Sequence, residues 1–420
     1  MKRLFPVSAV LVLATLSLLP TSCRKTSPYS GADSAKDIIL SAAGLDLVST
    51  GNQFSMDLFH ALQTQDSLDG NVMISPFSVY MALAMTDNGA AGATQDSISN
   101  TLRLGSQSVT GLNNTAEALL TQLPAADKEI SLSIANSAWL NQNMAFQSAF
   151  EQTVKTYYDA KTAAVNFGSP NAAASINQWV ASATKQMIPS IIDATDPSYV
   201  FVLVNAIYFK GSWTYAFDAN STADAPFTLQ TGATESVPMM TIPKGSSLRA
   251  MNNDSLTMVE FPYGGKHFSM YALLPGQLTN IHSLASALTL SNFKYWQSQL
   301  YSESIVPFFP RFDFSYGIKN MEPELKQMGM TLAFSDNADF SNMTGVPTTI
   351  SQVAHKTAIQ VDESGTVAAA ATAVVGISLT IGNGPFPVRF DHPFLFVIQE
   401  KTSGAILFIG VVNDPLAKGN

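Results

Sequence analysis

The sequence predicts one α+β domain rather than a string of small modules. Helical patterns dominate the first half of its 420 residues and strand patterns dominate the second, without the regular alternation of a parallel α/β sheet. A hydrophobic share of 46% with only 13% charged residues can bury a large core, which excludes a disordered chain. No long Pro, Gly or Ser stretch interrupts the chain after Leu45. The predicted domain therefore covers residues 45–417.

The N-terminal 44 residues are typical of an export signal followed by a tether. Lys2 and Arg3 precede an uncharged apolar run that leads through small residues to Cys23, the single cysteine of the chain. The run resembles a bacterial lipobox, although Pro20 stands where leucine is usual. We expect a lipoprotein signal peptide over 1–22, lipidation of Cys23 and a flexible tether over 23–44, which would hold the protein in the bacterial cell envelope. A signal peptide cut by chance near a cysteine and an N-terminal membrane anchor are the alternatives.

The spacing of apolar residues predicts the elements of the domain in order. Residues 51–64 have the period of an amphipathic helix. Ser75 and Pro76 start a second helix, because serine caps a helix and proline suits its first turn. Continuous apolar strands indicate a sheet covered on both faces. The predicted strands are 133–139, 199–209, 268–274, 310–314, 357–361, 387–390, 394–399 and 405–411, with a further helix over 321–328.

Charge and side-chain chemistry exclude several classes of function. The chain has 22 Lys and Arg against 31 Asp and Glu, a net charge of −9, which opposes nucleic-acid binding. A single cysteine excludes an intrachain disulfide. The sequence has no G-x-S-x-G or H-E-x-x-H motif, and its five histidines lack close ligand spacing. We therefore expect neither a metal nor a cofactor.

The segment between Val361 and Gly384 has an unusual composition. Residues 366–384 carry no charge, and Ala368 to Ala371 are four successive small side chains. Alanine runs favour a helix, and a long uncharged run can indicate a membrane span; both alternatives stay open on these residues alone. A strand entering the middle of a sheet suits the composition better, because it needs small neutral side chains on both faces and no proline. Gly365 would supply the pivot.

Several segments resemble, in their order and spacing, the serpin family of serine protease inhibitors. Together they extend over residues 50–413. The segments are 71–94, 176–188, 203–213, 237–240, 261–264, 328–330, 338–341, 361–371 and 391–410. The resemblance implies a serpin fold, in which helices pack on a large central mixed β-sheet with smaller sheets and an exposed reactive-centre loop.

The resemblance also implies four sets of functional residues. The reactive bond is expected between Leu379 and Thr380, fourteen residues after the hinge glycine, whereas a count back from Pro393 falls nearer Gly382. Arg311 takes the place of a family lysine. The hinge is Glu363, Gly365, Thr366, Ala368, Ala369, Ala370 and Ala371; the shutter is Ser75, Ser78, Asn205 and His355; the breach is Trp213, Arg311 and Glu363.

The implied function is that of a suicide substrate and not of an enzyme. A serine protease cleaves the loop and is trapped as the loop enters the sheet. Leu379, or as the second choice Ile381, would fill an apolar pocket of the protease, which favours chymotrypsin-, subtilisin- or elastase-like targets. Cysteine proteases are a second class of target. A monomer is expected, attached to the membrane through Cys23.

Two other functions are weighed against inhibition. One is a non-inhibitory serpin that is cleaved as a plain substrate. The other is a penicillin-interactive serine enzyme, because Ser182-x-x-Lys185, Ser335-Asp336-Asn337 and Lys401-Thr402-Ser403-Gly404 approximate that family's three motifs in the right order. The second is disfavoured, since Ser182 falls inside a helical pattern and the last motif contains an extra residue.

Overall fold

The computed structural model describes residues 35–65, 69–365 and 385–419. Seven predicted hinge and reactive-bond positions lie outside these ranges, as does the predicted lipidation site Cys23. The seven are Thr366, Ala368, Ala369, Ala370, Ala371, Leu379 and Thr380. The described residues form the α+β architecture predicted from the sequence. Within those ranges, no helix is both long enough and apolar enough to cross a bilayer.

The helices lie mainly in the first half of the chain. They are α1 Ala42–Gln65, α2 Pro76–Asp87, α3 Gly92–Thr101, α4 Val109–Gln122, α5 Ser148–Tyr158, α6 Asn171–Ala183, α7 Ile281–Ala287, α8 Leu290–Ser298 and α9 Glu322–Gln327.

The strands form two sheets. They are β1 Val72–Ile74, β2 Ile130–Asn141, β3 Lys161–Val165, β4 Phe201–Gly211, β5 Ala223–Thr228, β6 Thr234–Thr241, β7 Ser246–Asn252, β8 Leu256–Tyr263, β9 Phe268–Pro275, β10 Tyr301–Pro310, β11 Phe312–Ile318, β12 Ile350–Val361, β13 Phe386–Arg389, β14 Phe394–Glu400 and β15 Ile406–Val412. The ten-stranded sheet has the order β1-β15-β14-β9-β8-β7-β10-β6-β5, with β13 beside β10. The mixed five-stranded sheet has the order β11-β12-β4-β2-β3, and its neighbours β12 and β4 run parallel.

Helix α2 links the core to the five-stranded sheet. Ser75 caps it by accepting a hydrogen bond from the Ser78 backbone N–H, and Pro76 occupies its first turn, as the sequence predicts. All twelve helix residues are buried, as expected for a helix that is apolar on every side. It contacts β2 and β4 of one sheet and β15 of the other. The N-terminus of α2 is therefore held beneath the β4–β12 pair.

Part of the predicted tether packs on the domain. The Lys36 amide donates to the Ala126 carbonyl at 2.7 Å, and the Ile38 amide donates to Thr402 Oγ1 at 2.9 Å. The Ile38 side chain is buried, and α1 begins at Ala42, nine residues before the predicted helix. Ordered structure therefore starts ahead of residue 45.

Two predicted strands differ from the observed ones by more than a few residues at one end. Strand β12 begins at Ile350, seven residues before the predicted strand. Its first half contains polar residues that are buried where β12 pairs with β4, among them Gln352 and His355. The predicted strand 310–314 spans the end of β10 and the start of β11, which are separated at Arg311. Both differences lie close to the site described next.

Candidate functional site

The two central parallel strands of the five-stranded sheet separate at one end. Their described pairing runs from Ile350 and Phe201 to Ala358 and Tyr208. Beyond this point β12 continues to Val361 beside β11, and β4 continues to Gly211 beside β2. The separation leaves a wedge between strands that each have a partner on their outer side.

A four-residue turn sits at the mouth of this wedge. The Asp362 amide donates to the Gly365 carbonyl at 2.8 Å, which closes the turn as an antiparallel bridge. Gly365 forms a second antiparallel bridge with Ser212, the residue that follows β4. A Cβ atom at Gly365 would lie 2.1 Å from the Gly211 carbonyl oxygen, and its φ of +152° disfavours other residues. The position therefore requires glycine.

An aromatic cluster supports the turn from the side of β4. The Trp213 indole stacks on the Tyr263 ring with centroids 4.4 Å apart, and its Nε1 donates to the Asp362 carbonyl at 2.9 Å. The Trp213 backbone N–H donates to the Ser364 carbonyl at 2.9 Å. Trp213 is itself buried. These contacts place it beside the start of the hinge, as the sequence predicts for the breach.

Arg311 and Glu363 form the predicted breach ion pair. Arg311 Nη2 contacts Glu363 Oε1, and Thr222 Oγ1 donates to the same oxygen at 2.6 Å. Burial alone would raise the pKa of Glu363, but the hydrogen bonds from Thr222 and Arg311 outweigh it and hold this pKa below its usual value. Thr222 was not predicted, because its partner lies 141 residues away in the sequence.

Replacing Glu363 with alanine is expected to lower thermal stability. The loss leaves the half-buried Arg311 guanidinium without its carboxylate and should cost about 1–2 kcal/mol. Because the folded-state pKa of Glu363 is lowered, its stabilisation is present above the unfolded pKa and is lost as pH falls through the folded value. Thermal unfolding of Glu363→Ala at several pH values checks this. Glu322→Ala, which breaks a surface pair with Lys326, is the control. Unaltered thermal unfolding of Glu363→Ala would show that the breach pair does not contribute to stability.

The predicted shutter residues form one buried hydrogen-bond network. The Ser75 backbone N–H donates to His355 Nε2 at 3.1 Å, and His355 Nδ1 lies 2.8 Å from Asn205 Oδ1. This arrangement requires the neutral tautomer with its proton on Nδ1. Asn205 Nδ2 donates to the Ser78 carbonyl at 3.0 Å and also contacts Ser78 Oγ. The network joins α2 to both central strands.

The sequence did not predict one member of the shutter. Asn205 Nδ2 donates to Asn136 Oδ1 at 2.7 Å, so β2 also takes part in the network. Asn136 lies in an apolar strand pattern, and a buried asparagine in such a strand is the signal that could have identified it. His355 is fully buried, and this burial lowers its pKa to about 3. The imidazole is therefore neutral at ordinary pH.

The residues of the penicillin-enzyme motifs are engaged elsewhere. Ser182 is exposed near the end of α6, and Lys185 Nζ donates to Ser131 Oγ at 2.7 Å. Ser335 Oγ donates to the Leu332 carbonyl at 2.9 Å. Lys401 Nζ contacts the buried carboxylate of Glu260. The three motifs thus serve three separate local structures, which removes the support for this alternative.

Comparison with known proteins agrees with the geometry. The family model described as "Serpin (serine protease inhibitor)" matches residues 49–415. Serpin-ZXA of Oryza sativa subsp. japonica is 35% identical over 367 residues, covering 82% of this chain and 90% of that protein. Leukocyte elastase inhibitor of Bos taurus is 33% identical over 381 residues, covering 88% and 99%.

Solved structures give the same result. The thermophilic serpin tengpin in its native state has a TM-score of 0.79 and 30% sequence identity, covering 90% of this chain and 96% of that one. Human thyroxine-binding globulin, complexed with thyroxine, has a TM-score of 0.82 and 27% identity, covering 90% and 100%. A family model over nearly the whole domain and these relatives establish that the chain belongs to the serpin family, whose members are generally protease inhibitors rather than enzymes.

Proposed function

We propose that this chain inhibits serine-type proteases as a suicide substrate, by inserting its cleaved reactive loop between β4 and β12. The observation that carries the proposal is the pair of antiparallel bridges made by Gly365, one to Asp362 and one to Ser212. β4 and β12 are parallel to each other, and a strand inserted between them would have to run antiparallel to both. Gly365 already makes an antiparallel bridge to a residue at the end of each of these strands.

The registers of the two bridges support insertion at one defined position. In an antiparallel ladder, moving four residues forward from Gly365 to Ala369 means moving four residues back on each neighbouring strand. The partner on β12 then changes from Asp362 to Ala358, and the partner on β4 changes from Ser212 to Tyr208. Ala358 and Tyr208 are themselves partners in the β4–β12 pairing. If both bridges continue as ladders, Ala369 enters between two residues that pair with each other before insertion. The registers are therefore compatible without a slip in either strand.

The composition of the loop also supports insertion. Residues 366–375 carry neither charge nor proline, so each can donate to a ladder and lie in a sheet covered on both faces. The protease would supply the chemistry: its serine attacks the Leu379 carbonyl, the bond to Thr380 breaks, and Leu379 remains as an acyl ester. Insertion would then distort the protease before water hydrolyses this ester. The inhibitor supplies the bait and a metastable fold, whose lifetime is a kinetic quantity.

A gel assay tests inhibition directly. The mature chain is incubated with chymotrypsin or with subtilisin, and an SDS-stable band of combined mass is expected. Cleavage without this band would favour the non-inhibitory alternative. The thermal stability of the cleaved chain gives a second readout, since insertion should raise it sharply. Papain in a parallel incubation tests whether cysteine proteases are also trapped.

Replacing Leu379 with arginine should redirect inhibition toward trypsin. A trypsin-like pocket needs a basic side chain, whereas chymotrypsin-like pockets take apolar ones. We expect at least a roughly hundred-fold rise in the association rate with trypsin and a comparable fall with chymotrypsin. Ile381→Arg is the control, because it places the same charge two residues past the expected bond. An unchanged preference in Leu379→Arg, or a switch in Ile381→Arg instead, would contradict the assignment of the reactive bond.

We further propose that Cys23 carries the lipid that attaches the inhibitor to the bacterial envelope. The support is the basic, apolar and small-residue order of residues 1–23. Expression with the natural signal should place the chain in the membrane fraction, and Cys23→Ser should release it. A variant that stays in the membrane would indicate an N-terminal anchor. A wild-type chain found free of the membrane would indicate an ordinary signal peptide.

A further inference from the structure

Asp362 lies directly before the predicted hinge residue Glu363 but was not itself among the predicted hinge residues. It is the first residue of the four-residue turn that follows β12, and it is buried. An antiparallel strand returning alongside β12 needs such a turn, because its direction must reverse within a few residues. The Asp362–Gly365 bridge closes this turn before any loop residue enters the sheet.

The Asp362 carboxylate holds the turn together. Its Oδ1 accepts hydrogen bonds from the Ser364 backbone N–H at 3.0 Å, the Ser364 hydroxyl at 2.8 Å and the Gly365 backbone N–H at 3.3 Å. Aspartate and asparagine stabilise turns in this way because their short side chains reach the backbone two residues ahead. Bonds to a charged acceptor are stronger than neutral ones. The side chain therefore offsets much of the entropy cost of ordering the turn.

The turn is also fastened to the segment that follows β4. The backbone N–H of Phe217 donates to the Glu363 carbonyl at 2.8 Å. Two further bonds join Trp213 to the turn, one to the Asp362 carbonyl and one to the Ser364 carbonyl. The reversal of chain direction is thus complete, and it sits directly above the wedge between β4 and β12.

We propose that Asp362 is a positioning residue for loop insertion, whose carboxylate keeps the hairpin turn formed so that insertion starts by extending an existing nucleus. The proposal rests on the inhibitory function proposed above. Forming a turn before any ladder bond is the costly step of hairpin formation. Insertion of the loop competes with hydrolysis of the acyl ester. A turn that is already formed makes insertion faster, because this step is complete before the protease cleaves the loop. Without the carboxylate the turn loses three of its hydrogen bonds, so it opens more often in the native state and must then re-form before insertion can start.

The test compares Asp362→Ala and Asp362→Asn with the wild-type chain. Asparagine retains an acceptor at the same place, so Asp362→Asn should rescue the turn. Asp196→Ala is the matched control. Asp196 Oδ1 accepts hydrogen bonds from the Ser198 backbone N–H at 2.8 Å and from the Ser198 hydroxyl at 2.6 Å, as Asp362 does from Ser364. Asp196 precedes the first residue of β4, at the end of the strand away from the hinge. Three quantities are measured with chymotrypsin or subtilisin: the association rate, the ratio of cleaved inhibitor to SDS-stable complex, and the thermal unfolding temperature. Amide hydrogen exchange at Ser364 and Gly365 reports the turn without protease.

The proposal predicts a split between these readouts. Asp362→Ala should raise the ratio of cleaved inhibitor to complex by roughly five- to ten-fold, with an unchanged association rate and faster exchange at both amides. Asp362→Asn and Asp196→Ala should stay near the wild-type ratio. An unchanged ratio in Asp362→Ala would overturn the proposal, as would an equal rise in all three variants. A wild-type chain that forms no complex would contradict the inhibitory function itself, and the proposal would fall with it.

Discussion

An Ala368→Pro variant is expected to be cleaved by its target protease without trapping it. In the register set by the Gly365 bridges, residue 368 would enter between Ile359 of β12 and Phe209 of β4. Proline has no N–H to donate to a ladder, and its fixed φ disfavours a central strand. One lost bond in a covered sheet costs about 1–3 kcal/mol, which slows insertion roughly ten- to hundred-fold. The deacylation of the protease should then outpace it.

The readouts are the yield of SDS-stable complex and the thermal stability of the cleaved chain. Complex should fall to a trace while cleavage continues, and the cleaved variant should lack the rise in stability expected of the wild type. Asn383→Pro is the control, because it lies beyond the expected reactive bond and outside the inserting strand. A wild-type yield of complex from Ala368→Pro would contradict insertion through this register.

A His355→Ala variant is expected to destabilise the closed sheet. The substitution removes the partner of the Ser75 backbone N–H and of Asn205 Oδ1, both of which are buried. Leaving two buried polar groups unpaired, together with a cavity, should cost about 3 kcal/mol. Since the network joins α2 to β4 and β12, the loss should also lower the barrier to their separation. We expect a lower unfolding temperature and a faster spontaneous loss of inhibitory activity on warming.

The pH dependence of the free energy of unfolding below pH 6.5 gives an independent test of the buried, neutral state of His355. Burial lowers the pKa of His355 from about 6.5 to about 3, so the folded chain binds fewer protons than the unfolded chain between these values. Stability is therefore lost as pH falls below 6.5, by about 2 kcal/mol at pH 5 from this group. His355→Asn should flatten that part of the profile. No change in slope between pH 5 and 6.5 would contradict a buried neutral imidazole.

His392 provides a control of opposite sign. The hydrogen bond that His392 Nδ1 donates to Asp391 Oδ1 raises the pKa of His392, against the effect of its partial burial. Its stabilisation is therefore complete below the unfolded pKa and is lost as pH rises through the folded value. His392→Asn should lose a small stabilisation at acid pH, whereas His355→Asn should gain one. Opposite changes in the two variants would show that the effect of His355→Asn comes from its buried site in the shutter and not from the removal of a histidine in general.

Patterns within short stretches of sequence anticipated much of this structure. The α+β class, the capped start of α2, strand β9 and at least part of each strand from β11 to β15 followed from local spacing and composition, whereas β5 to β8 were not predicted. Gly365 was predicted as a pivot because only glycine tolerates such a position, and the structure adds the Gly211 carbonyl that excludes any Cβ. Strands with a polar half, such as β12, were predicted less well. A strand is recognised by apolar residues that face the core, and the polar residues in the first half of β12 indicate exposure to solvent although the folded sheet buries most of them.

The sequence by itself determined the class of fold, the resemblance to serpins and the small, neutral character of the segment after Gly365. Each depends on side chains that are close neighbours in the chain. Tertiary structure alone decided which polar groups share a network. Ser75 meets His355 across 280 residues and Asn205 meets Asn136 across 69, so these partners carry no local signal. It also decided that Asp362 faces a turn rather than solvent, because the register of β12 against β4 sets where the chain reverses.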